Sequence, residues 1–236
     1  GQWEVAEAAY TRAASCGYEV QPGLARLRLA QGRLDAATAG LRRALDEPIY
    51  DPRVRCLLLA AQVEIGLATG DRDGARDDLL LAASLAQQAH RADLLAHAAL
   101  GLGSGPSGFE VDQQDAAQLD LLQQALRALA DDDLALRACV TARLAVARAR
   151  LDPPEVLEGA AREAVELGRR SGSPAALGVA LAALCDTIAG PDDVAERLEH
   201  ATEVVALAVQ AGDGDLELLG RRSEERRVGK ECPVLC

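Results

Sequence analysis

The sequence predicts an all-α fold, a solenoid of stacked antiparallel helix pairs, and three observations carry that expectation. First, 49% of the 236 residues are hydrophobic but only 2% are aromatic, so the apolar mass is Ala, Leu and Val. Ala and Leu are strong helix formers, whereas aromatic and β-branched strand formers are scarce. Second, runs with helical period alternate with Gly, Pro and Asp breakers. Third, one spacing recurs, G-x4-A-x6-A, at Gly1-Ala6-Ala13, Gly32-Ala37-Ala44 and Gly70-Ala75-Ala82, with starts 31 and 38 residues apart.

The recurring frame has a physical reading. Gly ends one helix in a tight turn, where a left-handed backbone carries no Cβ penalty. The two alanines, seven apart, share one face of the next helix and let it approach a neighbour closely. The second copy is the fullest: LARLRLAQGRLDAATAGLRRALDEP, Leu24 to Pro48, reads as helix, Gly32 turn, helix and proline stop. The starts straddle the period of about 34 residues of tetratricopeptide repeats. The frame resembles those repeats, with Leu or Ala at most of their aromatic positions, so degenerate copies are expected. Downstream the expected helices are 76–101, 113–130, 133–150, 155–171, 174–189 and 192–211. Between them stand Gly103–Gly108, Asp131–Asp133, Asp152-Pro153-Pro154, Ser171–Ser173 and Gly190-Pro191. Gly212-Asp213-Gly214 then opens a further helix, with an apolar face expected to be uncovered near Leu216–Leu219. Stacked pairs bury a continuous core that one pair could not bury alone.

Charge excludes several function classes. The formal net charge is −12, and the pI near 4.7 argues against a phosphate-binding surface, which needs clustered Lys and Arg. Trp3, Tyr10, Tyr18, Tyr50 and Phe109 are too few for base stacking. No apolar run approaches the roughly 20 residues of a membrane span, and no signal peptide opens the chain; a cytoplasmic location is expected. None of the six cysteines forms a CxxC. Cys16, Cys56, Cys139 and Cys185 sit singly in apolar helical contexts and read as small buried hydrophobes.

Motifs that resemble chemistry are better explained structurally. Gly103-Ser104-Gly105-Pro106-Ser107-Gly108 satisfies G-x-G-x-x-G, but a dinucleotide loop must leave a strand and open a helix N-terminus. Here an Ala/Leu helix precedes it, Pro106 removes an amide and acidic residues follow, so it reads as a connection. No Walker A loop occurs in the stretch. His90 and His97, seven apart on one expected helix, are separated by roughly 10 Å at a 1.5 Å rise, too far to share a metal. His200 beside Glu199 reads as a solvated face. Asp77-Asp78, Asp131–Asp133 and Asp192-Asp193 adjoin expected helix starts, where negative charge caps amides and offsets the dipole. No catalytic, cofactor-binding or metal-binding residue is expected. The candidate partner-contact surface is the arginine series Arg26, Arg28, Arg33, Arg42 and Arg43 on the helices of the second repeat.

The last fifteen residues differ in character. From Arg222 the run RSEERRVGKEC carries the only lysine, Lys230, and the helical apolar period stops. Residues 222–232 resemble the in-frame translation of a common short-read sequencing adapter, which implies that 222–236 is a non-native, disordered tail. The helical region is then 1–221, with 21 basic and 34 acidic residues and net charge −13, an excerpt of a longer protein.

Two sets of segments resemble the helical region of large actinobacterial LuxR-type transcriptional regulators. The first is Gly1–Pro48 followed by RCLLLAAQVEIGLATGD (Arg55–Asp71), similar to their tetratricopeptide-like sensor segment. The second is AALGLGSGPSGFEV (Ala98–Val111), CDTIAGPDDVAERL (Cys185–Leu198) and ELLGRR (Glu217–Arg222), similar to a related region of ATP-binding regulators. Because the two point to slightly different members, a seam is expected near Arg72–Asp78, as in a chimeric assembly. For an intact protein the resemblance implies an N-terminal P-loop ATPase and a C-terminal helix-turn-helix. It implies for this segment a non-catalytic role in sensing or autoinhibitory docking, with a protein partner, neighbouring domains or a small effector as ligand and no cofactor. The alternatives are a free-standing tetratricopeptide adaptor and the regulatory helical region of a nucleotide-cyclase-type signalling ATPase.

Overall fold

The computed structural model describes residues 2–103, 115–188, 190 and 193–225. Among these residues the chain is all-helical, with twelve α-helices and no strand. It divides into two compact units, residues 1–98 and 99–236. Residues 72–78, where the seam is expected, lie within one helix, Arg72–Gln88.

The first unit holds α1 (Gln2–Ser15), α2 (Gly23–Ala30), α3 (Leu34–Asp46), α4 (Pro52–Thr69) and α5 (Arg72–Gln88), and α6 (Ala92–Gly101) begins in it. Gly32 and Gly70 have φ of +73° and +81°, the left-handed turns that the repeating frame requires. The alanines that follow are interior: Ala37, Ala75 and Ala82 are buried and Ala44 is partly so. Ala25, Ala37, Leu41, Leu58, Ala61 and Ile65 form one core cluster. In the first copy the frame is weaker, since α1 buries no residue completely. Two helix starts are capped by aspartates that the sequence reading does not single out: Asp51 accepts from the Arg53 amide and Asp71 from the Gly74 amide.

One expected helix is two. The run read as 76–101 breaks after Gln88, and His90 adopts φ +51°. The Arg91 amide reaches back to the Ala86 carbonyl at 2.9 Å and the His90 amide to Gln87 at 3.1 Å, closing a C-terminal turn usually built on glycine. With no Gly or Pro at 89–91, the break has no marker in the sequence. Arg91 then clamps Asp93 in the first turn of α6 through two hydrogen bonds. His90 therefore stands in a turn, not on the helical face of His97.

The second unit contains α7 (Ala116–Ala128), α8 (Leu134–Ala147), α9 (Pro154–Ser171), α10 (Pro174–Thr187), α11 (Val194–Ala211) and α12 (Gly214–Glu225). These follow the expected helices closely. Proline at the first turn opens α9 and α10, where its missing amide costs nothing. Gly172 and Gly212, at φ +67° and +68°, close α9 and α11. The core is alanine-rich: Ala142, Ala145, Ala161, Ala164, Ala180, Ala182 and Ala183 surround Leu181, Leu184 and Val204. Such small side chains bring backbones together. A Cβ built on Gly168 of α9 would lie 2.9 Å from Leu177 Cα of α10, so that crossing needs glycine.

Further expectations are modified. Leu216 is buried and Leu219 packs on the same core, leaving Leu218 exposed; the apolar face of α12 is covered by α11 and α10. The helix also runs past Arg222 to Glu225, and Thr202 Oγ1 donates to Glu224 Oε1 at 3.2 Å. Arg and Glu are good helix formers, so a helix already started propagates through them. Residues 226–236 lie outside the described residues. Of the cysteines, Cys56 and Cys185 are buried, Cys139 is half-buried and Cys16 is exposed beyond the end of α1. Burial pushes the Cys139 thiol up to about 11 and the Cys185 thiol up to about 12, so both remain protonated at neutral pH. No helix among the described residues is long and apolar enough to cross a membrane.

Candidate functional site

Of the five arginines of the second repeat, Arg26, Arg28 and Arg33 meet different partners. Arg26 makes a forked contact from α2 to Glu64 of α4, with hydrogen bonds of 2.6 to 3.1 Å. Arg33 donates to Glu7 of α1 at 2.8 Å, and its guanidinium holds the Glu7 carboxyl below the ordinary carboxylate range. Arg28 donates from Nη1 to the Ala36 carbonyl at 3.0 Å, while its buried Nε has no partner. Gly40 leaves that guanidinium its space, because a Cβ there would lie 3.1 Å from Arg28 Nη1. These three arginines hold helices together. Arg43 is exposed, and Arg42 opens onto a groove.

The groove lies within the first unit between α3, α4 and α5 and has a volume of about 250 Å³. Arg42 and Thr38 line it from α3, Gln62 and Thr69 from α4, and Asp71, Asp77 and Asp78 from the start of α5. Local sequence explains the arrangement. Leu58, Ala61 and Ile65 turn one face of α4 into the core, and Gln62 occupies the edge of that face. On α5, Ala75 and Ala82 are buried, and Asp78 stands between them at i+3 and i−4. A polar residue interrupting an apolar stripe on each of two packed helices is the signal that would have marked this groove.

Asp77 and Asp78 were expected to cap a helix beginning near 76. The helix begins at Arg72 with Asp71 as its cap, so Asp77 and Asp78 fall in its second turn and line the groove. The capping expectation is also modified at Asp133 and Asp193, which precede α8 and α11 without a side-chain cap bond; Asp192 lies outside the described residues.

Within the groove, Gln62 Nε2 donates to Asp78 Oδ1 at 3.1 Å. Burial pushes the Asp78 carboxyl above its ordinary value, with the Gln62 hydrogen bond opposing and the charges of Asp71 and Asp77 adding to the rise. A carboxyl raised in the fold opposes folding above that pKa, and the penalty fades as pH falls through it. Asp78→Asn, which keeps an acceptor for Gln62, should therefore melt higher than the parent at neutral pH. The gap should close as pH falls through the raised Asp78 pKa toward the ordinary carboxylate range. Thermal melts followed by circular dichroism check this, and an Asn variant that melts lower at pH 7 would refute it.

Other expected features resolve simply. His97 Nδ1 faces its own helix at the Asp93 carbonyl, 2.7 Å away. His200 is mostly buried and faces Glu196 at 3.4 Å, not the solvent beside Glu199. Among the described residues no three His, Cys, Asp or Glu side chains are grouped to hold a metal ion. The stretch before Gly103 is helix α6, not the strand that a dinucleotide loop leaves; residues 104–108 lie outside the described residues. No protein-family model matches the chain, and no curated protein matches it.

Proposed function

We propose that this chain is the helical-repeat sensor segment of a LuxR-type transcriptional regulator, acting by contact and not by catalysis. The observation that supports the repeat reading most is the order of packing. Among the described residues, the most extensively packed pairs in each unit join helices one or two places apart in the chain: α2 with α3, α4 with α5, α8 with α9 and α10, α10 with α11. That neighbour-only pattern is how stacked repeats bury a core. Left-handed glycines after α4, α9 and α11 and the degenerate tetratricopeptide frame point the same way. Two rungs also tie α9 to α11, Arg162 to Glu196 at 2.8 Å and Arg169 to Glu203 at 4.0 Å.

The regulator assignment rests on the resemblance of the segments quoted above. Sequencing the uncontaminated reading frame around the segment tests it. A P-loop ATPase upstream and a helix-turn-helix downstream are expected. A stop codon soon after Arg221 with a start shortly upstream would replace this reading with the free-standing adaptor, and an upstream cyclase domain with the signalling ATPase.

A further inference from the structure

The groove between α3, α4 and α5 brings together charges of both signs that do not neutralise each other. Arg42 lies in it without an ion pair or hydrogen bond, and so does Asp77. Elsewhere in this unit arginine and carboxylate close on one another, as in Arg26–Glu64, Arg33–Glu7, Arg53–Asp51 and Arg91–Asp93. At this place they line an open space instead. Three carboxylates face one guanidinium, so the groove carries a net charge of −2.

We infer that this groove binds a free basic amino acid, whose α-carboxylate meets Arg42 and whose two cationic groups meet Asp77 and Asp78. Size and charge argue together. A volume of about 250 Å³ lies just under the roughly 300–1,000 Å³ of drug-sized sites, which suits a ligand the size of one amino acid. A simple anion would be repelled by the net charge. A simple diamine would leave the Arg42 guanidinium unused, and a neutral amino acid would leave one carboxylate unmatched. Gln62, whose Nε2 is committed to Asp78, keeps its carbonyl oxygen available between the α3 and α5 walls for a ligand ammonium. Asp71 is occupied in capping α5 and contributes field without contact.

The groove's role as an effector site rests on the proposed sensing function, but its occupancy can be tested apart from it. Isothermal calorimetry on the full chain at low salt would use L-lysine, L-arginine, cadaverine, which lacks the carboxylate, and norleucine, which lacks the side-chain cation. Lysine or arginine should bind saturably with Kd about 1 mM or tighter. Arg42→Ala should weaken lysine about tenfold while leaving cadaverine no weaker, and Asp77→Asn should weaken lysine by a similar factor. Both positions are on exposed helix surface, and unchanged melting curves would confirm that the variants fold. The inference is overturned by any one of three results: no saturable binding of either basic amino acid, equal affinity for cadaverine and lysine, or lysine binding unaltered in both variants. Failure here leaves the reading-frame test of the regulator untouched, and a failed reading frame leaves the calorimetry standing.

Discussion

Truncating Leu181 to alanine is expected to lower the unfolding free energy by about 4 kcal/mol, toward the upper part of the range for buried leucines. Leu181 has no exposed surface, and its helix, α10, packs against α8, α9, α11 and α12. The size of the loss depends on how far neighbours can move into the void. Here the same core includes Ala142, Ala145, Ala161, Ala164, Ala180, Ala182 and Ala183, and a methyl group has no rotamer that reaches further. The cavity should stay open. Leu218→Ala on the exposed side of α12 is the control, with an expected change within about 0.5 kcal/mol. Denaturant titration followed by circular dichroism measures both. Equal midpoints for the two variants would mean that α10 is not the centre of this core.

Much of the fold was legible because its determinants are local. Proline at the start of α9 and α10, and glycine after α3's predecessor, α4, α9 and α11, are read directly from residues a few places apart. The break at His90 was not legible, since its left-handed turn uses an ordinary side chain and is held by the Arg91 amide reaching Ala86. The candidate surface fared differently. Five arginines are visible in any reading of the chain, but the fate of each depends on a partner set by the stack. Glu64 is 38 residues from Arg26, and Glu7 is 26 from Arg33. Only Arg42 and Arg43 remain from the series as surface groups without an ion pair. The acids opposite Arg42 read as a helix cap only if α5 starts near 76, four residues past its actual start at Arg72. A one-turn error in a boundary was enough to move Asp77 and Asp78 from a groove to a helix end.

Arginine chemistry also separates structural from surface roles in the second unit. Arg143 is the counterpart of Arg42 in the opposite environment: it is buried on α8, with buried Gln118 of α7 beside it. Its Nη2 donates to Gln118 Oε1 at 3.3 Å, and Gln118 Nε2 donates to the Ala99 carbonyl at 3.2 Å. Burial lowers the Arg143 pKa, opposed by the charge of Asp115, which caps α7 through the Ala117 and Gln118 amides. The group stays charged, since guanidinium does not release its proton in proteins. A Cβ on Gly103 would lie 2.3 Å from Arg143 Nε, so a larger residue there would displace the side chains of this pair.

Replacing Arg143 by alanine should cost about 3–5 kcal/mol, the range for removing one member of a buried charged network. The substitution opens an arginine-sized void and leaves the Gln118 carbonyl oxygen buried without this donor, an unmade bond worth about 1–3 kcal/mol by itself. Arg143→Met separates the two contributions. Methionine fills most of the void and brings no charge to desolvate, and apolar replacement of buried ionic groups is often neutral or better, so its loss should be less than half that of alanine. Equal losses for Ala and Met would assign the stability to the Gln118 hydrogen bond instead of to packing. A lysine at this position should fall near alanine, because a single ammonium on a flexible four-carbon stem cannot reproduce the planar fork that fits beneath Gly103. Urea midpoints of the three variants decide the order, and a lysine variant as stable as the parent would show that the charge alone, not its geometry, is what the second unit requires at this crossing.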